Sequence, residues 1–281
     1  MVRIRLSHRT TRPPCPVASG PVYLLLPAHD EADRVAAVID RLPAQVLGRE
    51  TYCLVVDDGS ADDTARRATA AGASVLSHGA NRGLGAAVRT GIAEAVARGA
   101  AMVAFCDADG EYDPGELERL AQPILEGAAD YVVGSRFAGR IGDMRPHRRI
   151  GNLVLTRALR LVARTPLSDG QSGFRALSRA AAVEAEIAHD YNYAQVLTLS
   201  LWGAGIVAVE VPISYRRRGA GRSFVRYPEY LRRVAPAVWR AWLRARRRRT
   251  ARPGPPPAGV RIRSDRDPRS DPASIAVDEV R

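Results

Sequence analysis

Two short acidic motifs end apolar runs: Asp57-Asp58-Gly59-Ser60 follows Cys53-Leu54-Val55-Val56, and Asp107-Ala108-Asp109 follows Met102-Val103-Ala104-Phe105-Cys106. Carboxylates fixed at the ends of rigid strands but facing water can ligate a hard cation through oxygen. A cation held that way neutralises a diphosphate. In an open α/β sheet, ligands bind in the crevice beyond the carboxyl ends of the strands. These residues therefore point to the handling of a nucleotide.

Other motifs fall at neighbouring strand ends. Pro27-Ala28-His29-Asp30-Glu31 closes the first apolar run, where a carboxylate also suits a helix start. In the second motif Ser60 or Asp62 is expected to cap the following helix, and neither Asp57 nor Asp58 is needed for that. Asn81-Arg82-Gly83-Leu84-Gly85 opens a helix after the third strand. A dinucleotide fingerprint would need a third glycine where Val88 stands, so the turn reads as one that lets backbone approach a ligand. Gly134-Ser135-Arg136 and Asp169-Gly170-Gln171-Ser172-Gly173-Phe174-Arg175 pair guanidinium groups with hydroxyls and glycine amides, a combination that receives phosphate oxygens.

The elements that must position these groups alternate between apolar runs and helical stretches, the pattern of a mostly parallel sheet with crossover helices. Strands are expected near 22–26, 52–56, 74–77, 102–106 and 130–134, with helices near 31–42, 62–72, 84–98, 114–126 and 148–164. Asp113-Pro114 starts the fourth helix, Asp as cap and Pro at the first helical position. Beyond residue 165 the alternation loosens. A helix near 192–203, a strand near 206–210 and a basic, Trp-containing helical segment follow.

Bulk properties narrow the class. The 281 residues suit one large α/β domain with extensions. Cys15, Cys53 and Cys106 form no Cys-x-x-Cys pair and read as a reduced, cytoplasmic chain without a disulfide framework. No apolar run approaches the roughly 18–20 residues of a membrane-spanning helix. Charge is unevenly placed: residues 1–20, 216–249 and 250–281 carry +4, +12 and +1 of a total of +12, which leaves residues 21–215 at −5. An acidic body with basic extensions is not the pattern of a specific nucleic-acid binder. The expected organisation is a flexible basic arm (1–20), a catalytic domain (21–225), a basic amphipathic helical segment (226–249) and a disordered tail (250–281).

Together, and in this order, the motifs resemble those of the inverting family 2 glycosyltransferases, nearest the polyprenyl- (dolichyl-) phosphate sugar transferases. The resemblance runs from about Tyr23 to Ser223 and includes Glu210-Val211-Pro212-Ile213 and Arg218 with Gly221. It implies a single Rossmann-like A-type domain, a mixed, mostly parallel sheet flanked by helices, and a UDP- or GDP-linked sugar donor. Pro27, His29, Glu31 and Asp57 or Asp58 would cradle the nucleoside. Asp107 and Asp109, assisted by Glu111, would hold Mg²⁺ or Mn²⁺. Ser135, Arg136, Ser172 and Arg175 would face an acceptor phosphate. Asp30, His29 and Glu111 depart from the family's common Asn, Tyr and Gln.

Asp109, Asp169 and Asp190 are the candidate catalytic carboxylates. A hydroxyl acceptor needs a general base, whereas a phosphate acceptor is already ionised at pH 7. In His189-Asp190-Tyr191-Asn192-Tyr193-Ala194-Gln195, where many relatives that glycosylate hydroxyls supply a carboxylate, Asn192 and Gln195 cannot act as bases and Asp190 is the nearest candidate, so a polyprenyl phosphate acceptor is expected. Leu231, Val234, Ala235, Val238, Trp242 and Leu243 recur at helical spacing beside Arg232, Arg233, Arg240 and Arg244. Such a helix suits the plane of an anionic membrane surface, here the cytoplasmic face. The competing expectation is that the apolar stripe packs on the protein's own body. A nucleotidylyltransferase would carry a glycine-rich first loop, and a non-catalytic adaptor would have no need of the paired carboxylates.

Overall fold

The computed structural model describes residues 17–141, 144, 146–163, 167–191, 193–206, 208–216, 227–251 and 260–261. Most of the arm with Cys15, Asn192, the stretch from Arg218 to Ser223 and most of the tail lie outside them. The continuous apolar run Val22–Ala28 (β1) is buried along its whole length. It lies between two parallel neighbours, and a strand covered on both faces has no need of alternation. Those neighbours are Arg49–Asp57 and Met102–Phe105. Gln45–Val46 (β2) pairs antiparallel with the former (β3), whose outer edge takes Ser74–Ser77 (β4) in parallel. Beyond the latter (β5) the sheet is mixed. Tyr131–Ile141 (β6) is separated from β5 by Arg175–Ser178 (β7), antiparallel to both. Ala208–Tyr215 (β8) runs parallel to β6, and Val260–Arg261 (β9), inside the stretch expected to be disordered, pairs with β8.

Helices cover both faces. Val22, Leu24 and Leu26 pack against Val35–Ile39 (α1), Thr64–Ala70 (α2) and, further along the chain, Leu117–Leu125. Tyr23 and Leu25 pack against Leu84–Ala97 (α3). Leu117–Leu125 (α4) is preceded by a 3₁₀ turn in which Asp113 accepts from the Gly115 N–H, as the sequence predicts. Pro146–Ala163 (α5) follows β6, and Arg179–Glu184 (α6) follows β7. Ala194–Gly203 (α7) is apolar nearly all round because the sheet lies on one side and further helices on the other. Leu159 of α5, Val196 and Leu199 of α7, and Ala237 and Ala241 of Tyr227–Ala251 (α8) form a third apolar cluster. Burying each leucine or valine of the cluster contributes about 1.5–3 kcal/mol.

Two differences from the sequence reading have local causes. The first helix begins at Val35, because Glu31 to Arg34 form a turn in which the Glu31 and Ala32 N–H groups donate to Thr64 and Asp62 and the Arg34 N–H to the Glu31 carbonyl. The antiparallel β7 is not anticipated: four residues opening on an arginine give no apolar run, yet Arg175 is fully buried. Among the described residues no helix is long and apolar enough to cross a membrane. Cys53 and Cys106 are buried and free, and burial pushes the Cys53 thiol up to about 12, as befits small core side chains.

Candidate active site

The carboxyl ends of β1, β3 and β5 lie side by side, and the acidic motifs extend from β3 and β5. The loops after β1 and β3 are laced together. Asp30 adopts a left-handed conformation (φ 54°), its N–H donates to Ser60 Oγ (3.0 Å), and its Oδ1 accepts the Ala61 N–H (2.8 Å). The Glu31 N–H donates to Thr64 Oγ1 (2.8 Å) and the Ala32 N–H to Asp62 Oδ2 (3.1 Å). Asp57 accepts both the N–H and the hydroxyl of Ser60. Ser60 therefore serves the loop and not the helix cap, while Asp62 accepts the Thr64 N–H at the start of α2 (3.0 Å). Pro27 is buried in β1, and Glu31 binds Arg34 (2.9 Å). His29 Nδ1 is buried without a hydrogen-bond partner among the described residues, a state that a buried polar atom rarely keeps.

Asp58 has a different task. Its Oδ1 meets His78 Nδ1 (2.7 Å) and accepts the Arg82 N–H (3.0 Å), while Oδ2 accepts the Gly83 N–H (2.7 Å). Burial alone would raise this carboxyl, but the bonds from His78, Arg82 and Gly83 together hold it below its ordinary value. His78 Nε2 reaches Thr90 of α3 (3.0 Å), so the Asp58 carboxylate anchors the turn that opens this helix. That turn does not use its glycines to admit a ligand. Gly83 has φ 95°, and a Cβ there would sit 2.6 Å from the Asp190 carbonyl oxygen, which accepts the Gly85 N–H (2.7 Å). The backbone that approaches is the chain's own segment 189–190.

At the end of β5, Asp109 is buried and its Oδ1 accepts the Glu111 N–H (3.0 Å). Asp107 is half-buried and abuts the 169–175 loop: a Cβ on Gly173 would lie 2.9 Å from Asp107 Oδ2 and 3.0 Å from the Tyr112 ring. Two phenols grip that glycine. Tyr112 Oη accepts its N–H (2.7 Å) and Tyr193 Oη donates to its carbonyl (3.3 Å). Burial pushes both phenols up, so both stay protonated. Neither tyrosine stands out in the sequence, although each sits inside a motif that does. Glu111 does not join Asp107 and Asp109 in a three-carboxylate cage; among the described residues no three His, Cys, Asp or Glu side chains converge on one point. Two hard carboxylates fit a cation whose remaining ligands are substrate phosphates and water.

The residues assigned to an acceptor phosphate divide. Arg136 makes a buried bidentate pair with Asp169, Nε to Oδ2 and Nη2 to Oδ1, both 2.7 Å. Among the described residues nothing accepts from its Nη1; Asp169, fully buried, orients this guanidinium and is not exposed as an acid or base. Arg175 is turned away from any ligand. Its donors go to the carbonyls of Ser172 (2.7 Å), Gly170 (2.8 Å) and Ala194 (2.9 Å) and to the hydroxyls of Thr198 (3.0 Å) and Tyr131. It folds the 169–175 loop. Ser172 Oγ, fully buried, accepts the Phe174 N–H (3.3 Å), and Ser135 Oγ bonds to Ser168 Oγ (2.8 Å). Both hydroxyls are framework.

Glu210, part of the resemblance in sequence but given no role there, supports the site. Its Oε1 accepts the N–H groups of Ser168 (2.6 Å) and Asp169 (2.8 Å), and its Oε2 accepts the Ser168 hydroxyl (2.8 Å). Burial raises this carboxyl above its ordinary value. The available signal was a lone acid in the apolar strand Ala208–Tyr215. The Asp190 side chain pairs with Arg89 Nη2 (2.8 Å), and its carbonyl accepts the Gly85 N–H at the start of α3 (2.7 Å), so the residue ties the 189–190 segment to that helix.

Comparison with known proteins follows the same lines. The model of the family described as "Glycosyl transferase family 2" matches residues 23–184. The UDP-N-acetylglucosamine–dolichyl-phosphate N-acetylglucosaminyltransferase of Methanococcus voltae is 29% identical over 179 residues, 57% of this chain and 70% of that protein. The polyprenol monophosphomannose synthase of Mycolicibacterium smegmatis is 30% identical over 216 residues, 71% of this chain and 79% of that one. The chain spans about two thirds of the first curated relatives it matches, 66%, 70% and 64% of their lengths. Among solved structures, glucosyl-3-phosphoglycerate synthase from Mycobacterium tuberculosis, in complex with Mn²⁺, UDP-glucose and phosphoglyceric acid, is similar with a TM-score of 0.62. It is 25% identical, and the superposition covers 84% of this chain and 85% of that one.

Proposed function

The chain belongs to glycosyltransferase family 2, whose members take a sugar from a nucleotide-sugar donor, and on that premise we propose that its acceptor is a polyprenyl phosphate. The observation that carries the reading is Arg136, whose guanidinium is fixed by Asp169 through Nε and Nη2 while no described residue takes its Nη1, in a chain whose β5 leads into Asp107 and Asp109. A site with two hard carboxylates and an oriented guanidinium has a place for a donor diphosphate and for an acceptor phosphate. In this reading His29, with its unsatisfied Nδ1, and Asp57, beside Pro27 and Glu31, line the nucleoside end. Asp58 shapes that end through the Arg82-Gly83 turn.

The acceptor's phosphate oxygen attacks the anomeric carbon, the bond from that carbon to the diphosphate breaks, and the nucleoside diphosphate leaves with the electron pair. Mg²⁺ or Mn²⁺ held by Asp107 and Asp109 would supply charge stabilisation for the leaving diphosphate. Tyr112 and Tyr193 keep Gly173 against Asp107, so the carboxylate reaches the donor without rearranging. No general base is required, which agrees with Asp190 being engaged by Arg89. The catalytic unit in this reading is residues 21–225, and α8 serves the approach to the membrane.

The test is release of nucleoside diphosphate from a panel of UDP- and GDP-sugars, with and without polyprenyl phosphate in anionic vesicles. Release that depends on the lipid and on a divalent cation, and that disappears in Asp109→Asn, is the expected result. Glycosylation of a soluble hydroxyl compound with indifference to the lipid would sink the acceptor assignment.

A further inference from the structure

The parallel ladder between β6 and β8 breaks beside the site. Ser135 pairs with Pro212 and the next pair is Arg140 with Ser214, so Arg136 to Gly139 bulge out of the ladder. A bulge bends its strand and re-aims a side chain. Gly139 closes this one: a Cβ there would sit 2.0 Å from the Ile213 carbonyl oxygen, so the bulge returns to β8 only because the residue is glycine. The residue re-aimed is Arg136. Its N–H, outside the β6–β8 ladder, donates to Asp169 Oδ2 (3.1 Å), and its guanidinium carbon lies 5.5 Å from the centroid of the Tyr215 ring. Tyr215 is buried at the carboxyl end of β8, paired with Ile141 beyond the bulge. Its ring meets Tyr112 in an edge contact (6.0 Å, 67°). The next residue, Arg216, donates its N–H to the Glu111 carbonyl (3.0 Å), which ties the end of β8 to the loop after β5.

From this geometry we propose that Tyr215 is a positioning residue for the acceptor phosphate, the ring that fixes the plane in which Arg136 is presented. The bonds from Nε and Nη2 to Asp169 hold one edge of the guanidinium. Two bonds along a single edge leave the plane able to hinge about that edge. A ring against the face stops the hinge. It also attracts, because the face of a phenol ring is negative and favours a cation within about 6 Å of its centroid. The guanidinium is then held on an edge and on a face, and no described residue accepts from the remaining nitrogen, Nη1. A donor fixed in this way meets an oxyanion without reorganising. Tyr215 itself is not a ligand in this account; it acts through Arg136. Its ring neighbour Tyr112 holds the N–H of Gly173, the glycine packed on Asp107. The acceptor-side guanidinium and the donor-side carboxylate are therefore seated against one aromatic pair. The inference rests on the acceptor reading for the identity of the ligand, and on the geometry alone for the state of the guanidinium.

The experiment compares Tyr215→Phe and Tyr215→Leu with the parent, as full chains, on detergent-dispersed polyprenyl phosphate with saturating nucleotide sugar. Val209→Ala, a cavity further down the same strand, controls for lost packing. The acceptor phosphate is most negative before it attacks, so a misaimed guanidinium shows in KM more than in kcat. Tyr215→Leu should raise the KM for polyprenyl phosphate about tenfold, with kcat and donor affinity within about twofold, while Tyr215→Phe keeps the parent's KM. A rise in KM no larger than that of Val209→Ala, or a Phe variant as impaired as Leu, overturns the proposal. So does a fall in kcat or donor affinity that matches the rise in KM. A second readout needs no acceptor: the nitrogen–proton NMR signals of the Arg136 guanidinium, assigned by their loss in Arg136→Lys. The ring should shift them and keep the Nη pairs resolved in the parent, and in Tyr215→Leu they should move and broaden. Signals that ignore the loss of the ring overturn the proposal whatever the acceptor is. Altered signals from a parent that does not use polyprenyl phosphate support the role of Tyr215 and fault the acceptor reading instead.

Discussion

Substituting Glu210 separates the role of its shape from that of its charge. The residue is buried, and its two oxygens satisfy two backbone N–H groups and one hydroxyl of Ser168-Asp169. Glu210→Ala leaves the Ser168 and Asp169 N–H groups unsatisfied, while the Ser168 hydroxyl keeps Ser135 Oγ as a partner. At about 1–3 kcal/mol for each buried group left unsatisfied, the loss is about 2–6 kcal/mol, some of it recovered by water entering the space. For a domain of this size about 2–4 °C is lost per kcal/mol, so a fall of at least about 4 °C in Tm is expected. Glu210→Gln keeps Oε1 as the acceptor of both N–H groups and places an N–H₂ beside the Ser168 hydroxyl, which can accept. Its Tm should stay within about 2 °C of the parent at pH 7.

The pH dependence adds a second readout. Burial raises the folded-state pKa of Glu210 above its unfolded value, so the folded protein binds more protons across that window. The contribution of Glu210 to stability is therefore greatest below the unfolded carboxylate pKa and declines as pH rises through the folded one. Glu210→Gln should remove this decline, flattening stability against pH on the alkaline side of the ordinary carboxylate range. Thermal unfolding of the parent and both variants across pH is the assay. If Gln is as damaging as Ala, the ionised charge matters and not the acceptor geometry, and the reasoning fails.

Other expectations follow from the same contacts. Gly173→Ala should raise the KM for the donor severalfold and lower cation affinity with a modest change in Tm, because its Cβ meets Asp107 Oδ2 at 2.9 Å; unchanged cation titration would contradict it. Asp169→Asn leaves the buried Arg136 without its counter-charge and should cost about 3–5 kcal/mol in denaturant unfolding. Asp58→Asn should remove a stabilisation that is present above the ordinary carboxylate pKa and lost as pH falls through the depressed folded value. The acid limb of its stability curve should be shallower than the parent's. Arg136→Lys should weaken lipid-dependent turnover more than donor binding, since one ammonium nitrogen cannot reproduce the parallel Nε and Nη2 bonds to Asp169 while holding a separate nitrogen for a ligand.

Sequence pattern made the left half of the sheet legible. The apolar runs at β1, β3 and β5 are buried strands, and the carboxylates that follow them sit at their carboxyl ends. What pattern could not supply was the partner of each polar group. Arg136 and Arg175 look alike in sequence, each following glycine and serine within a short loop. The fold gives one a carboxylate and leaves it a nitrogen to spare, and gives the other five carbonyl and hydroxyl acceptors. Gly83 and Gly85 read as ligand-facing because glycine marks close approach, but the identity of the approaching chain, residues 189–190, is a long-range fact. β7 was hidden for a related reason. A short central strand that begins with a buried arginine carries no periodic signal. The stripe expected on α8 is divided, with Val234 buried, Val238 and Trp242 half-buried and Leu243 outside, because a helical stripe does not say which of its sides meets the core.

The most direct measurement of the central claim is transfer of labelled sugar from a UDP- or GDP-linked donor into the organic phase with polyprenyl phosphate and Mn²⁺ or Mg²⁺ present. The account predicts a labelled lipid product that requires the cation, is absent for Asp109→Asn and is sharply reduced for Arg136→Ala. Label that appears instead on a water-soluble hydroxyl acceptor, with no lipid product from any donor, would contradict it.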